Sequence, residues 1–196
     1  MKRTGFTIAM LALSIGLAAQ NFRLTAELQD SIEAKAKEKV ETFQENCRIV
    51  GSTGRTYDEK TCIGGIIDVA LEDFMKESKI EITNFNGAVQ RPKTIRRYLL
   101  NLALLARDRY REIEISSYDC AMASDFVPDP NRKGWYVGEV KIFQRFSAVT
   151  KEFRKVEDVV ERTTKVYAKR NKIYTGKGWT VYWTVLLGDI SAKTIE

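Results

Sequence analysis

An α+β layer fold is what this sequence predicts: three N-terminal helices, one short strand between the second and third, and an antiparallel sheet made by the rest of the chain. Up to about residue 111, apolar side chains recur every three or four positions, the period of a helix with one buried face. Beyond it the chain changes to long segments rich in Val, Ile, Thr, Tyr and Trp, separated by turn-forming residues. The 196 residues contain no internal repeat, low-complexity tract or linker, so both halves share one core in one domain.

The first helix is expected over residues 24–47, where Leu24, Leu28, Ile32, Ala36, Val40, Phe43 and Cys47 stand among Glu and Lys. Gly51, Ser52 and Gly54 interrupt the pattern, and Ile63, Ile66, Ile67, Ala70, Leu71, Phe74 and Met75 form a second stripe that packs back as a hairpin. Residues 79–85 alternate enough for a short strand, ending at the turn signal of Asn84, Phe85, Asn86 and Gly87. Pro92 suits the first position of a third helix, which carries Ile95, Tyr98, Leu99, Leu102, Leu105 and Ala106 on one face. Long strands are expected over residues 112–123, 135–148, about 157–174 and 179–194, joined as a meander through turns near Pro128 to Asn131 and at Gly176, Lys177 and Gly178. Residues 150–156 read equally as a loop, a helical turn or an early strand.

The N-terminus has the layout of an export signal. Lys2 and Arg3 make a positive start, residues 6–17 are almost uninterruptedly apolar, and Ala18 and Ala19 supply the small residues that a signal peptidase accepts. Residues 1–20 are therefore expected to be a cleaved signal peptide, leaving residues 21–196 as a single periplasmic or extracellular domain. A transmembrane anchor is the competing reading, but the run is shorter than the roughly 20 residues that span a bilayer. No cysteine follows it to carry a lipid, and no later stretch is apolar enough to hold the chain in a membrane, so no membrane is expected as a partner after cleavage. Export favours pairing of thiols. Cys47 and Cys62 bracket a polar segment rich in Gly, Ser and Thr, and a disulfide between them would stabilise by about 3 kcal/mol through the unfolded chain. That all three cysteines are simply small buried residues is the alternative.

Composition removes several chemistries. There is no histidine, so Ser-His-Asp and Cys-His sites cannot be assembled and the commonest neutral-pH base is missing. The cysteines lack the close paired spacing of zinc sites, and no metal or cofactor is expected. Gly64 and Gly65 lack the Lys and Ser/Thr of a phosphate-binding loop and read as close packing or a helix start. The net charge of +6 is mild, and the basic residues from Arg91 to Arg97 and from Lys165 to Arg170 are interspersed with apolar and acidic ones. They read as solvated faces, and nucleic acid is not expected as a partner.

The order helix, helix, short strand, helix, four long strands resembles the nuclear transport factor 2-like superfamily, in its exported bacterial branch. Residues 179–190 (WTVYWTVLLGDI) look like the last strand of such proteins, and Gln144, Arg145 and Phe146 like the middle of an earlier one. The resemblance implies a cystatin-like cone in which a curved sheet wraps the helices. It says little of activity, since this superfamily hosts isomerases, dehydratases, binding modules and scaffolds. It does direct attention to the open end of the cone, where some relatives place an Asp base and a Tyr donor.

By strand alternation, Asp119 shares a face with Ile113, Ile115, Ser117 and Ala121, and Gln144 shares one with Val140, Ile142 and Phe146. Both are expected to point inward, where a carboxylate would be desolvated and its pKa raised. They line a pocket together with Tyr98, or each is simply hydrogen-bonded at a strand end. Trp135, Trp179, Trp183, Tyr136, Tyr167 and Tyr182 make the sheet aromatic, as cross-strand pairing favours, and the resemblance implies homodimerisation through that sheet. The expected function is a non-catalytic, exported binding domain for a small apolar ligand or a protein partner. The alternatives are an isomerase- or dehydratase-type enzyme using Asp119, or a structural subunit of an envelope assembly.

Overall fold

A computed structural model describes residues 24–53, 59–83 and 88–195. The elements are α1 (Ala26–Thr53), α2 (Glu59–Glu72), β1 (Lys79–Thr83), β2 (Val89–Thr94), α3 (Ile95–Asp108), β3 (Tyr110–Pro128), β4 (Trp135–Thr150), β5 (Lys155–Tyr174) and β6 (Trp179–Thr194). The six strands form one curved, unclosed sheet of order β2-β1-β6-β5-β4-β3. β3 to β6 are an antiparallel meander, and β1 joins β6 in parallel at Ile80 and Ile190. The three helices fill the concave side, giving the α+β cone.

Periodicity decides which side chains fill it. Ile32, Ala36, Val40, Phe43, Cys47 and Val50 of α1 are all buried, the stripe that a 3.6-residue period presents to a sheet. On β4 the inward set is Tyr136, Gly138, Val140, Ile142 and Gln144. Each large aliphatic residue enclosed here contributes about 1.5–3 kcal/mol relative to exposure. Phe43 meets Phe74 edge-on, with ring centroids 4.9 Å apart, and so ties α1 to the end of α2.

Several boundaries differ from expectation for local reasons. Two strands, not one, separate α2 and α3. Pro92 lies in β2, an edge strand where a missing N–H is tolerated. α3 starts at Ile95 instead, capped by Thr94, whose hydroxyl accepts from the Arg97 N–H at 3.3 Å. Gly51 does not end α1. A Cβ there would stand 3.2 Å from Ile113 Cγ2, so the glycine lets β3 close on the helix. Gly64 and Gly65 lie within α2 with no atom of the described residues within 4 Å of the positions their Cβ atoms would take, which speaks against close packing as their role. The expected signal peptide and the turn at residues 84–87 lie outside the described residues.

Candidate functional site

The inward face of β4 places Gln144 deep in the cone, 4% exposed, opposite α1. Its side chain is hydrogen-bonded at both ends. Arg162 on β5 donates from Nε to Gln144 Oε1 at 2.6 Å, and Gln144 Nε2 donates to Gln44 Oε1 on α1 at 2.5 Å. Arg162 also donates from Nη1 to the backbone carbonyl of Glu81 at 3.0 Å, and its guanidinium stands 5.9 Å from the centre of the Tyr98 ring. The carboxylate of Glu81 is turned elsewhere, accepting from the Ala192 N–H. No ion pair among the described residues involves Arg162, so a buried guanidinium, 5% exposed, is held by neutral dipoles alone.

Tyr98 stands beside Gln144 in this cluster. Its ring is partly exposed, while its hydroxyl lies in the interior against Cys47 and Gln144. Burial, then the neighbouring Cys47, pushes the phenol well above its ordinary range. Burial likewise pushes the Cys47 thiol up to about 12, against smaller opposing effects of Arg162 and of the Tyr98 hydrogen bond. Both groups are therefore neutral at physiological pH, and Arg162 supplies the cluster's only formal charge. Cys47 is a free, fully buried thiol. Cys47 is thus not in the expected pair with Cys62, whose own side chain lies outside the described residues.

Asp119 is not part of the cluster. The register of β3 against β4 shifts between Tyr118 and Ala121, and Asp119 occupies that bulge with φ 55°, exposed. A bulge inserts one residue and so reverses the alternation beyond it. Cys120 and Met122 therefore pack against the core where Asp119 and Ala121 were expected to point inward. Near Cys120, burial and the adjacent Glu41 raise the thiol to about 11.

The chain of amides ends at a surface. Gln44 forms the floor of a cleft of about 410 Å³ between α1 and β3, with Glu41 and Arg48 on the helix side and Ile113, Ile115 and Ser117 on the strand side. Gln44 accepts from Gln144 but, among the described residues, donates to no group, so its Nε2 hydrogens are free to serve the cleft. Behind that donor stands a directed series, from the Arg162 cation through Gln144 to Gln44, in which each bond polarises the next. Glu45 on the same wall is neutralised by a bidentate bond from Arg48, at 2.7 and 2.5 Å, while Glu41 and Glu114 leave the rim negative. Among the described residues no three Cys, Asp or Glu side chains gather as a metal site.

Gln44 and Arg162 were not singled out from the sequence, although a signal existed for each. Val160, Arg162, Thr164, Val166 and Ala168 alternate along β5, and Gln44 lies between Val40 and Cys47 at helical spacing, so both are polar residues at core positions.

No protein-family model matches the chain, and no curated protein matches it. Among solved structures it is similar to a “putative aromatic ring hydroxylase” from Novosphingobium aromaticivorans, at 13% identity and TM-score 0.48, covering 83% of this chain and 91% of that one. It is also similar to a nuclear transport factor 2-like protein of unknown function from an Exiguobacterium species, at 8% identity and TM-score 0.39, covering 79% and 98%. A Kribbella flavida protein matches at 8% identity and TM-score 0.40, covering 88% and 94%. These likenesses are of fold.

Proposed function

We propose that this protein is a non-catalytic binding domain whose α1–β3 cleft takes a small, neutral ligand that presents a carbonyl or similar oxygen acceptor. The observation that carries the reading is the unpaired Gln44 Nε2 at the cleft floor, backed by Arg162 through Gln144. Ile113 and Ile115 suit an apolar ligand body, and the negative rim of Glu41 and Glu114 disfavours carboxylates. None of the groups expected to act as acid or base is set up for it: Tyr98 and Cys47 hold their protons, and Asp119 stands exposed on a bulge away from both. The isomerase- or dehydratase-type alternative therefore gains no support from the geometry. The signal-like character of residues 1–20 favours action outside the cytoplasm, which N-terminal sequencing of the recovered protein tests directly.

A titration with hexanamide, hexanoate and hexylamine, followed by amide NMR, tests the chemistry. Hexanamide is expected to shift the Gln44 side-chain resonances and those of Ile113 to Ser117, and Gln44→Leu to abolish the effect. Preferential binding of hexylamine would mean that the rim carboxylates, not the amide floor, define the site.

A further inference from the structure

The β5–β6 hairpin outruns the rest of the sheet. The last β5 residue paired to β4 is Lys169, opposite Trp135, whereas pairing with β6 continues to Tyr174 and Trp179. On its other side β6 meets β1 only at Ile190. Beyond Lys169 the chain is thus a two-stranded ribbon reaching roughly 17 Å past the sheet, a form of only marginal stability alone in water.

Its composition is one-sided in charge and two-faced in hydrophobicity. Cross-strand partners share a face, so Tyr174, Trp179 and Val181 project from the concave side and Ile173 and Tyr182 from the convex side. All five are exposed, Trp179 by 71% and Tyr174 by 60%. A docked protein would call for an apolar surface on one face, whereas here both faces of the tip are apolar. No Asp or Glu occurs between Glu161 and Asp189, while Lys169, Arg170, Lys172 and Lys177 lie on or beside the tip.

We propose that this hairpin tip is a peripheral docking element for an anionic lipid bilayer surface. Trp and Tyr partition to the headgroup level, where one part of the ring is in apolar surroundings and another is wet. Lysines around them meet anionic headgroups. The same tip on a second copy carries the same positive charge, which disfavours tip-to-tip association. Insertion stops at the interface: beyond Lys169 the outer edges of the ribbon pair with no other described strand, and open sheet edges do not occur in hydrocarbon, and the ribbon is shorter than the bilayer core of about 30 Å. None of the described helices is long and apolar enough to cross a membrane. Surface docking of this kind revises the expectation that the folded domain meets no membrane.

The full protein, and variants sharing its N-terminus, are incubated with vesicles of phosphatidylcholine alone or with about one third phosphatidylglycerol. Spin-labelled lipid is used to quench tryptophan emission. Binding to the anionic vesicles with quenching is expected. Lys172→Gln and Lys177→Gln should each weaken binding about fivefold, and Trp179→Ser should remove most of the quenching with the circular dichroism spectrum unchanged. Equal binding to both vesicle types, binding that is indifferent to all three substitutions, or binding of single-stranded nucleic acid in place of vesicles would overturn the proposal. Because the cleft lies elsewhere, Gln44→Leu separates the two readings: it should leave vesicle binding intact.

Discussion

Arg162 is the residue on which the interior depends most. A guanidinium without a carboxylate partner is tolerable in a core only while neutral acceptors hold it, and here Gln144 supplies one and the Glu81 carbonyl another. Gln144→Leu removes that acceptor and also leaves Gln44 without its donor, so a loss of about 2–4 kcal/mol is expected in chemical denaturation. Stability at or above wild type would mean that water or another group satisfies Arg162. Gln144 was legible in the sequence because β4 alternates without interruption from Tyr136 to Gln144. Asp119 was misplaced because a bulge has no side-chain signature here: a non-glycine residue at φ 55° looks like any other strand residue until the register is known. Gln44 and Arg162 stayed hidden because a lone polar residue on an apolar face is usually read as solvated, and only their mutual contact through Gln144 shows otherwise.

Among the elements, α2 is the one whose sequence works against its conformation. Gly64 and Gly65 sit within the helix, where each loses backbone freedom that alanine would not, and neither is required by a close neighbour. Gly65→Ala is therefore expected to stabilise by about 0.5–1 kcal/mol, read as a raised urea midpoint at unchanged slope. An unchanged or lowered midpoint would mean that something approaches this face. β6 gives the opposite case. A Cβ on Gly188 would come within 2.5 Å of Tyr167 Cε2, so Gly188→Ala should cost about 1–3 kcal/mol, with part of it restored by Tyr167→Leu. The long strands were legible because β-branched and aromatic residues recur between clear turns. β2 was not, since Val89 to Thr94 is short, exposed and polar, and Pro92 is equally at home in a first helical turn.

At the scale of the whole molecule, the cluster links folding to pH. In the folded chain the Cys47 thiol titrates near 12 against an ordinary value of 9.0, and Tyr98 is shifted upward as well. The folded state thus keeps protons that the unfolded chain releases first. This stabilisation is complete below about pH 9 and is lost progressively as pH rises toward 12. Urea midpoints should fall over that alkaline range, and Cys47→Ala should make the fall shallower; an unaltered profile would mean the thiol is not buried as described. Core and cleft are tied by one physical connection, from a buried cation through two amides to a donor in the cleft. The most direct measurement is the 15N–1H spectrum of the Gln44 side-chain amide in the wild type and in Arg162→Met, with and without hexanamide. Arg162→Met, although remote from the cleft, is expected to shift the free Gln44 resonance and to weaken hexanamide binding severalfold while the fold persists. A Gln44 resonance and affinity identical in the two proteins would contradict it.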